Sequence, residues 1–153
     1  MDQTDIEILK CLRRNARMKA SAIGEQIDLS VSAVTERIRK LENAGIISRY
    51  TVVIDQRAIG NDVVALMEVQ LEHPRCYDAF SQMVQNNPAI VSCHYLTGDY
   101  DFMLKIVTNS SEHLEQIHRY IKSFNGVCNT KTYFVLKTTK DDITVLPDQP
   151  DKD

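Results

Sequence analysis

The chain has 153 residues, 43% hydrophobic and 25% charged, with a net charge of −3 at neutral pH. That length holds one ordinary domain or two small ones, and that composition belongs to a globular rather than a disordered chain. No apolar run is long enough for a transmembrane helix, and Met1-Asp2-Gln3-Thr4-Asp5 lacks a signal peptide's basic start, so a cytoplasmic protein with no membrane partner is expected. Charge is uneven: residues 1–50 hold nine Lys/Arg against seven Asp/Glu, the remainder nine against fourteen. The head is therefore the part suited to meet an anion such as DNA.

In chain order, "DQTDIEILKCLRRNAR" reads as a first helix, with Ile6, Leu9 and Leu12 at helical spacing and acids at its start. "KASAIGEQIDLS" reads as a short second helix with Ile23 and Ile27 inward, ending near Asp28-Leu29. Gly24 inside it costs about 1 kcal/mol against alanine. Ser30 caps a third helix, "VSAVTERIRKLENA", closed by Gly45. A short helix, a tight turn and a longer amphipathic helix make a helix-turn-helix. "IISRYTVVID" has the bias of a strand or wing, and residues 55–62 read as a linker.

The second half predicts a strand over 63–71, with Met67, Val69 and Leu71 buried against Glu68, Gln70 and Glu72. A helix follows over 77–85, with Tyr77, Phe80 and Val84 on one face. Strands over 90–96 and 102–108 flank a corner at Gly98. A helix over 112–124 buries Leu114, Ile117, Ile121 and Phe124, and a last strand runs over 127–136. The order β-α-β-β-α-β is the ferredoxin-like split unit, so the fold class is α+β. The tail "DDITVLPDQPDKD" is acidic and proline-bearing, loose at its end.

Wound at about 100° per residue, the third helix turns Val31, Val34, Ile38 and Leu41 to the core. Ser32, Glu36 and Arg39 lie opposite, flanked by Ala33, Thr35 and Lys40. Small residues let a helix approach base edges, and Arg39, Lys40 and Glu36 suit bases or phosphates. Arg14, Arg17, Lys19, Arg37 and Arg49 are candidates for phosphate contact. The bland alternative for the same residues is a solvated helix face.

Cys11, Cys76, Cys93 and Cys128 form no C-x-x-C pair and read as small buried hydrophobes. A metal site from His73, Cys76, Cys93 and His94 is rejected, because adjacent strand residues point to opposite faces. His113 and His118, five apart, miss a shared helical face. The corner "YLTGDYDFML" places Asp99 and Asp101 around Tyr100 beside Gly98. The residues alone leave two readings open there. One is a tight turn whose acids bond local backbone; the other is a ligand corner, with open N–H groups for a carboxylate and an Asp for an ammonium. Catalysis by the Asp99/Asp101 pair is disfavoured, since no nucleophile motif, phosphate loop or metalloprotease signature accompanies it. RNA binding by the sheet lacks its aromatic signature.

Several motifs recur in order: "NAR" at 15–17, "VTERIRKLENAGII" at 34–47, "YTVVID" at 50–55 with Gly60, "GDYDF" at 98–102 and "TKTYFVLKTT" at 130–139. Together, from Asp5 to about Thr139, they resemble the Lrp/AsnC family, the leucine-responsive and asparagine-responsive transcription regulators. The chain departs from the family pattern at Asp28, where a turn glycine is common, and at Lys19, where a Ser or Thr cap is common.

The resemblance implies a winged helix-turn-helix over 1–50, a hinge strand and linker over 51–62, and a ferredoxin-like effector-sensing and oligomerisation domain over 63–140. An acidic tail over 141–153 follows. It implies double-stranded DNA as partner and Ser32, Ala33, Thr35, Glu36, Arg37, Arg39 and Lys40 as DNA-binding residues. A small effector, an amino acid, is implied at Gly98, Asp99, Tyr100 and Asp101, with Thr130 and Thr132 approaching from a neighbouring subunit. Homodimers pairing through their sheets and building octamers are implied, with no cofactor, no metal and no catalysis. The alternative is a DNA-organising regulator of this fold without an amino-acid effector.

Overall fold

The computed structural model describes residues 1–147. Two units divide the chain, residues 1–53 with the segment from 141, and residues 54–140.

In the first unit α1 (Gln3–Arg14), α2 (Ala20–Ile27) and α3 (Val31–Asn43) enclose one apolar cluster. Ile8, Cys11 and Leu12 of α1 meet Ile23 of α2 and Val34 and Leu41 of α3. Leu9, expected inward, is only partly buried, because α1 is turned so that Ile8 and Cys11 take the core positions. Val31 corrects another expectation: it is 52% exposed. As the first residue of α3 it projects past the end of the cluster, where no element covers it.

Residues 46–55, read as a strand or wing, form no strand. Their β-branched side chains favour extension, yet a strand needs a partner for its backbone groups and this segment pairs with none here. Ile46, Tyr50, Val52, Val53 and Ile54 stand exposed instead. One turn of 3-10 helix, Arg57–Ile59, precedes Gly60, whose φ of 86° suits glycine. In the segment from 141, the Thr144 carbonyl accepts a bond from Arg13 Nη1 at 3.3 Å. The end of the expected acidic tail, residues 148–153, lies outside the described residues.

The second unit is the split β-α-β-β-α-β: β1 (Val63–Leu71), α4 (Tyr77–Gln85), β2 (Ile90–Tyr95), β3 (Phe102–Thr108), α5 (Ser111–Lys122) and β4 (Val127–Phe134). The sheet order is β2-β3-β1-β4, antiparallel throughout. Alternate residues of the two central strands, Ala65, Met67 and Val69 with Phe102, Leu104 and Ile106, are buried with Phe80 and Val84 of α4 and Leu114, Ile117 and Ile121 of α5. The residues between them, including Val64, Leu66, Met103 and Val107, stay half-buried on the other face, which neither α4 nor α5 covers.

Small differences from the sequence reading have local causes. Ser110 caps α5 one residue earlier, its Oγ accepting from the His113 N–H at 3.1 Å. Phe124 falls beyond the helix but still packs on the core. Cys128, expected buried, is exposed on the edge strand β4, which has a neighbour on one side only. No helix of the described residues is long and apolar enough to cross a membrane.

Candidate functional site

Two places carry candidate chemistry, one in each unit. The first is α3. Ser30 caps its start, with Oγ accepting from the Ala33 N–H at 3.2 Å. Its end closes through Gly45, at φ 71°, with the Gly45 N–H on the Glu42 carbonyl at 2.9 Å and the Ile46 N–H on the Leu41 carbonyl at 3.0 Å. That pair of bonds is a Schellman closure. The turn before α3 depends on Asp28, which stands at φ 55° where glycine is usual. Asp is among the few residues that tolerate this region. Lys19 at the start of α2 makes no side-chain cap.

On this frame Ser32, Thr35, Arg39 and Lys40 are exposed, and Ala33 and Glu36 half-buried. Arg39 grips Glu36 with two bonds, Nε at 3.1 Å and Nη2 at 3.0 Å, and Lys40 Nζ lies 4.0 Å from the same carboxylate. These are surface pairs that yield readily to a stronger partner such as a phosphate or a guanine edge. Thr35 Oγ1 donates to the Val31 carbonyl at 2.8 Å.

Arg37 is placed differently from its neighbours. It lies about 160° round the helix from Thr35 and Arg39, and its Nη1 meets Asp2 at 2.7 Å and Asp5 at 2.8 Å. The sequence reading grouped it with the DNA-binding residues, whereas its side chain is turned onto the start of α1. Of the other basic candidates, Arg14 bonds Gln26 at 3.2 Å, and Arg17, Lys19 and Arg49 are exposed.

The second place is the corner between β2 and β3. The Leu96 N–H bonds the Asp101 carbonyl at 2.8 Å, closing residues 96–101 into a loop. The Asp101 N–H bonds the Val69 carbonyl at 3.0 Å, which fastens the loop to β1. Both carboxylate oxygens of Asp101 are engaged: Oδ2 accepts from the Leu71 N–H at 2.7 Å and Oδ1 from the Tyr77 hydroxyl at 2.5 Å. The hydrogen bond to Asp101, with a further contribution from Tyr95, pushes the Tyr77 phenol well above its usual range. Tyr95, 64% exposed, packs edge-on to Tyr77 with ring centres 5.1 Å apart.

Asp99 is exposed and makes no hydrogen bond among the described residues, while Gly98 stands at φ 141° with open space where a Cβ would be. The Tyr100 hydroxyl accepts from Asn129 Nδ2 of β4 at 3.2 Å. Thr130 pairs with Val69 in the sheet, one strand from the corner, and its Oγ1 lies 3.3 Å from His118 Nε2. Thr132 is exposed further along the same edge. Sequence reasoning missed Tyr77, Asn129 and His118 as partners of the corner and its surroundings. A phenol on the buried face of a helix needs a bond for its hydroxyl, so Tyr77 carried a readable signal; Asn129 and His118 carried none. Among the described residues no three His, Cys, Asp or Glu side chains gather to hold a metal ion.

Both units have known counterparts. A winged helix-turn-helix DNA-binding model matches residues 1–48, and the Lrp/AsnC ligand binding domain model matches residues 64–145. The chain belongs to the Lrp/AsnC family. Lrp/AsnC relatives align along nearly all of it. The HTH-type transcriptional regulator FL11 of Pyrococcus horikoshii is 35% identical over 147 residues, 96% of each chain. The regulator LrpC of Bacillus subtilis is 33% identical across 88% of this chain and 91% of its own. Two solved Lrp/AsnC-like structures superpose closely. NMB0573 of Neisseria meningitidis, a transcriptional regulator in complex with L-methionine, has a TM-score of 0.90 at 27% identity, covering 95% of this chain and 96% of that one. Bacillus subtilis LrpC has a TM-score of 0.81 at 31% identity, covering 92% and 97%. As an Lrp/AsnC chain with both parts, this protein is a DNA-binding transcriptional regulator with an effector-binding domain, not an enzyme.

Proposed function

We propose that an amino acid, bound at the Gly98 corner, sets how tightly this regulator holds double-stranded DNA. The carrying observation is the division of labour between the two acids. Asp101 is committed to Leu71 and Tyr77, whereas Asp99 is exposed and unengaged beside the open Gly98. A free carboxylate and accessible backbone N–H groups at one corner are the complement of an α-ammonium and an α-carboxylate. In this reading Asp99 takes the ammonium, the N–H groups around Gly98 take the carboxylate, Tyr100 walls the side chain and Asp101 holds the corner in shape. Thr130 and Thr132 complete the site from a neighbouring subunit. The likeness to NMB0573, a protein solved with L-methionine, supports an amino acid over other small molecules.

Ser32, Ala33, Thr35, Glu36, Arg39 and Lys40 read or grip the DNA from residues 1–50, residues 51–62 act as the hinge, and residues 63–140 sense and assemble. The uncovered face of the sheet, with Val64, Leu66, Met103 and Val107, suits pairing with a second copy into a dimer, and dimers build octamers.

A thermal-shift screen of the full chain against the twenty amino acids tests this. A ligand at a hundred times its Kd stabilises by about 2.7 kcal/mol. One clear hit is expected, abolished by Asp99→Asn with the ligand-free melting temperature unchanged. If no amino acid shifts the melt, or the hit survives in Asp99→Asn, the corner is not the amino-acid site.

A further inference from the structure

Arg37 is the one residue of the α3 basic set that turns away from the side bearing Thr35 and Arg39. What it meets is built, not incidental. Asp2 and Asp5 form the capping box of α1, each accepting the other's backbone N–H, at 2.9 Å and 3.0 Å. Each carboxylate divides its oxygens. Asp2 Oδ1 takes the Asp5 N–H while Oδ2 takes Arg37; Asp5 Oδ2 takes the Asp2 N–H while Oδ1 takes Arg37. No acceptor atom is left over, and one guanidinium joins two helices that are 35 and 32 residues apart in the chain.

The setting separates this contact from the other pairs on α3. The Arg37 and Asp5 side chains are 33% and 16% exposed, against 64% and 46% for Arg39 and Glu36, while Asp2, at 55%, lies at the open edge of the contact. A lone cation at the start of a helix opposes the positive end of its dipole. Two carboxylates placed there reverse that sign and make the start of α1 a seat for a guanidinium. A single nitrogen, Arg37 Nη1, reaches both acids.

We propose that Arg37 is a positioning residue for DNA binding. With Asp2 and Asp5 it fixes α3 against α1, and so sets how Ser32, Thr35 and Arg39 are presented to the duplex. The rival role is a direct phosphate contact, and the two make opposite forecasts. Removing an acid near DNA strengthens binding if charge alone matters. Removing half of a clamp weakens it.

The experiment uses the full chain and a duplex enriched by the wild-type protein from a random-sequence pool. Affinity is measured across a salt series for Arg37→Ala, Asp5→Asn and the double variant. Asparagine keeps an oxygen for the Asp2 N–H, but its amide NH2 replaces the oxygen that accepts from Arg37. Each single change is expected to weaken binding about tenfold, equal to about 1.4 kcal/mol. The double variant should be no weaker than the worse single one. The slope of log affinity against log salt should stay at its wild-type value. Two results overturn the proposal: Asp5→Asn binding as tightly as wild type or tighter, or an Arg37→Ala slope reduced by about one, the mark of a lost phosphate contact. Should circular dichroism show Arg37→Ala unfolded, Arg37→Met decides. It keeps much of the stem but neither charge nor donor, so wild-type affinity there also overturns the clamp.

Discussion

Gly24 reverses the usual rule for glycine in a helix. By propensity alone, alanine there should stabilise α2 by about 1 kcal/mol. The structure puts the Leu29 carbonyl oxygen 2.4 Å from where an alanine Cβ would sit, and that oxygen belongs to the backbone of the turn leading into α3. The turn cannot retreat freely, since the Leu29 N–H is bonded to the Gly24 carbonyl at 2.9 Å. Gly24→Ala is therefore expected to lower the stability of the DNA-binding unit by about 1–3 kcal/mol, the range for overpacking, and a denaturant melt of the variant measures it. A stabilised variant would show that the turn relaxes more easily than its bonds suggest. Asp101 supports a second forecast. Asp101→Ala strands the Leu71 N–H and the Tyr77 hydroxyl together, and should cost the sensing unit about 2–3 kcal/mol. Tyr77→Phe, which strands only one carboxylate oxygen near solvent, should cost less. Equal melting of Asp101→Ala and wild type would mean that water replaces the carboxylate at no expense.

Elements were legible where one face is covered and one is not. The strand over 63–71 and the strand over 102–108 have the bounds their alternation predicts, because each turns every second residue to the helices. Residues 46–55 failed for the converse reason. Their composition records a liking for extended backbone, but pairing is a property of two segments, and no second segment pairs with them among the described residues. On α3 the core arc was right at Val34 and Leu41 and wrong at Val31, since angle round a helix says nothing about where the core stops along it. Arg37 was legible in angle, lying closer to Leu41 than to Thr35, but its partners 32 and 35 residues earlier were not. At the corner, the paired acids were visible in sequence while their different fates were not. That difference depends on Leu71 and Tyr77, which are remote in the chain. The start of α1 yields a pH forecast. The Asp5 N–H, then Arg37, holds the Asp2 carboxyl below the usual carboxylate range. A folded-state value below the unfolded one adds stability that is complete above about pH 4 and lost as pH falls through the lower folded value. Acid titration of the helical signal should fall less steeply for Asp2→Asn, which keeps the cap and cannot titrate. Superimposable acid limbs for the two proteins would remove Asp2 from the account.

For the molecule as a whole, the decisive quantity is a coupling between an effector in one unit and DNA at the other. No single contact can supply it. A ligand moves an equilibrium only by the difference in its affinity for two states, so the amino acid proposed for the Gly98 corner acts only if it favours one arrangement of the assembled chains over another. Reciprocity then fixes a number that two independent titrations must share. If the amino acid found in the melting screen changes DNA affinity by some factor, bound DNA changes the affinity for that amino acid by the same factor, typically about 5- to 150-fold. Measuring DNA binding with and without saturating amino acid, and amino-acid binding with and without saturating duplex, closes the cycle. Equal factors are expected at protein concentrations where sedimentation reports one assembly in all four corners. If the factors differ under that condition, a further binding event, such as a second amino-acid or DNA site, takes part. If they differ only where sedimentation shifts, the effector acts by changing how many copies assemble, and the uncovered sheet face becomes the element it biases. A charged substitution there, Leu66→Glu, separates these cases. It should reduce the assembled size, weaken amino-acid binding by removing the neighbouring subunit's threonines and, in the second case alone, abolish the effect on DNA of the amino acid at saturation.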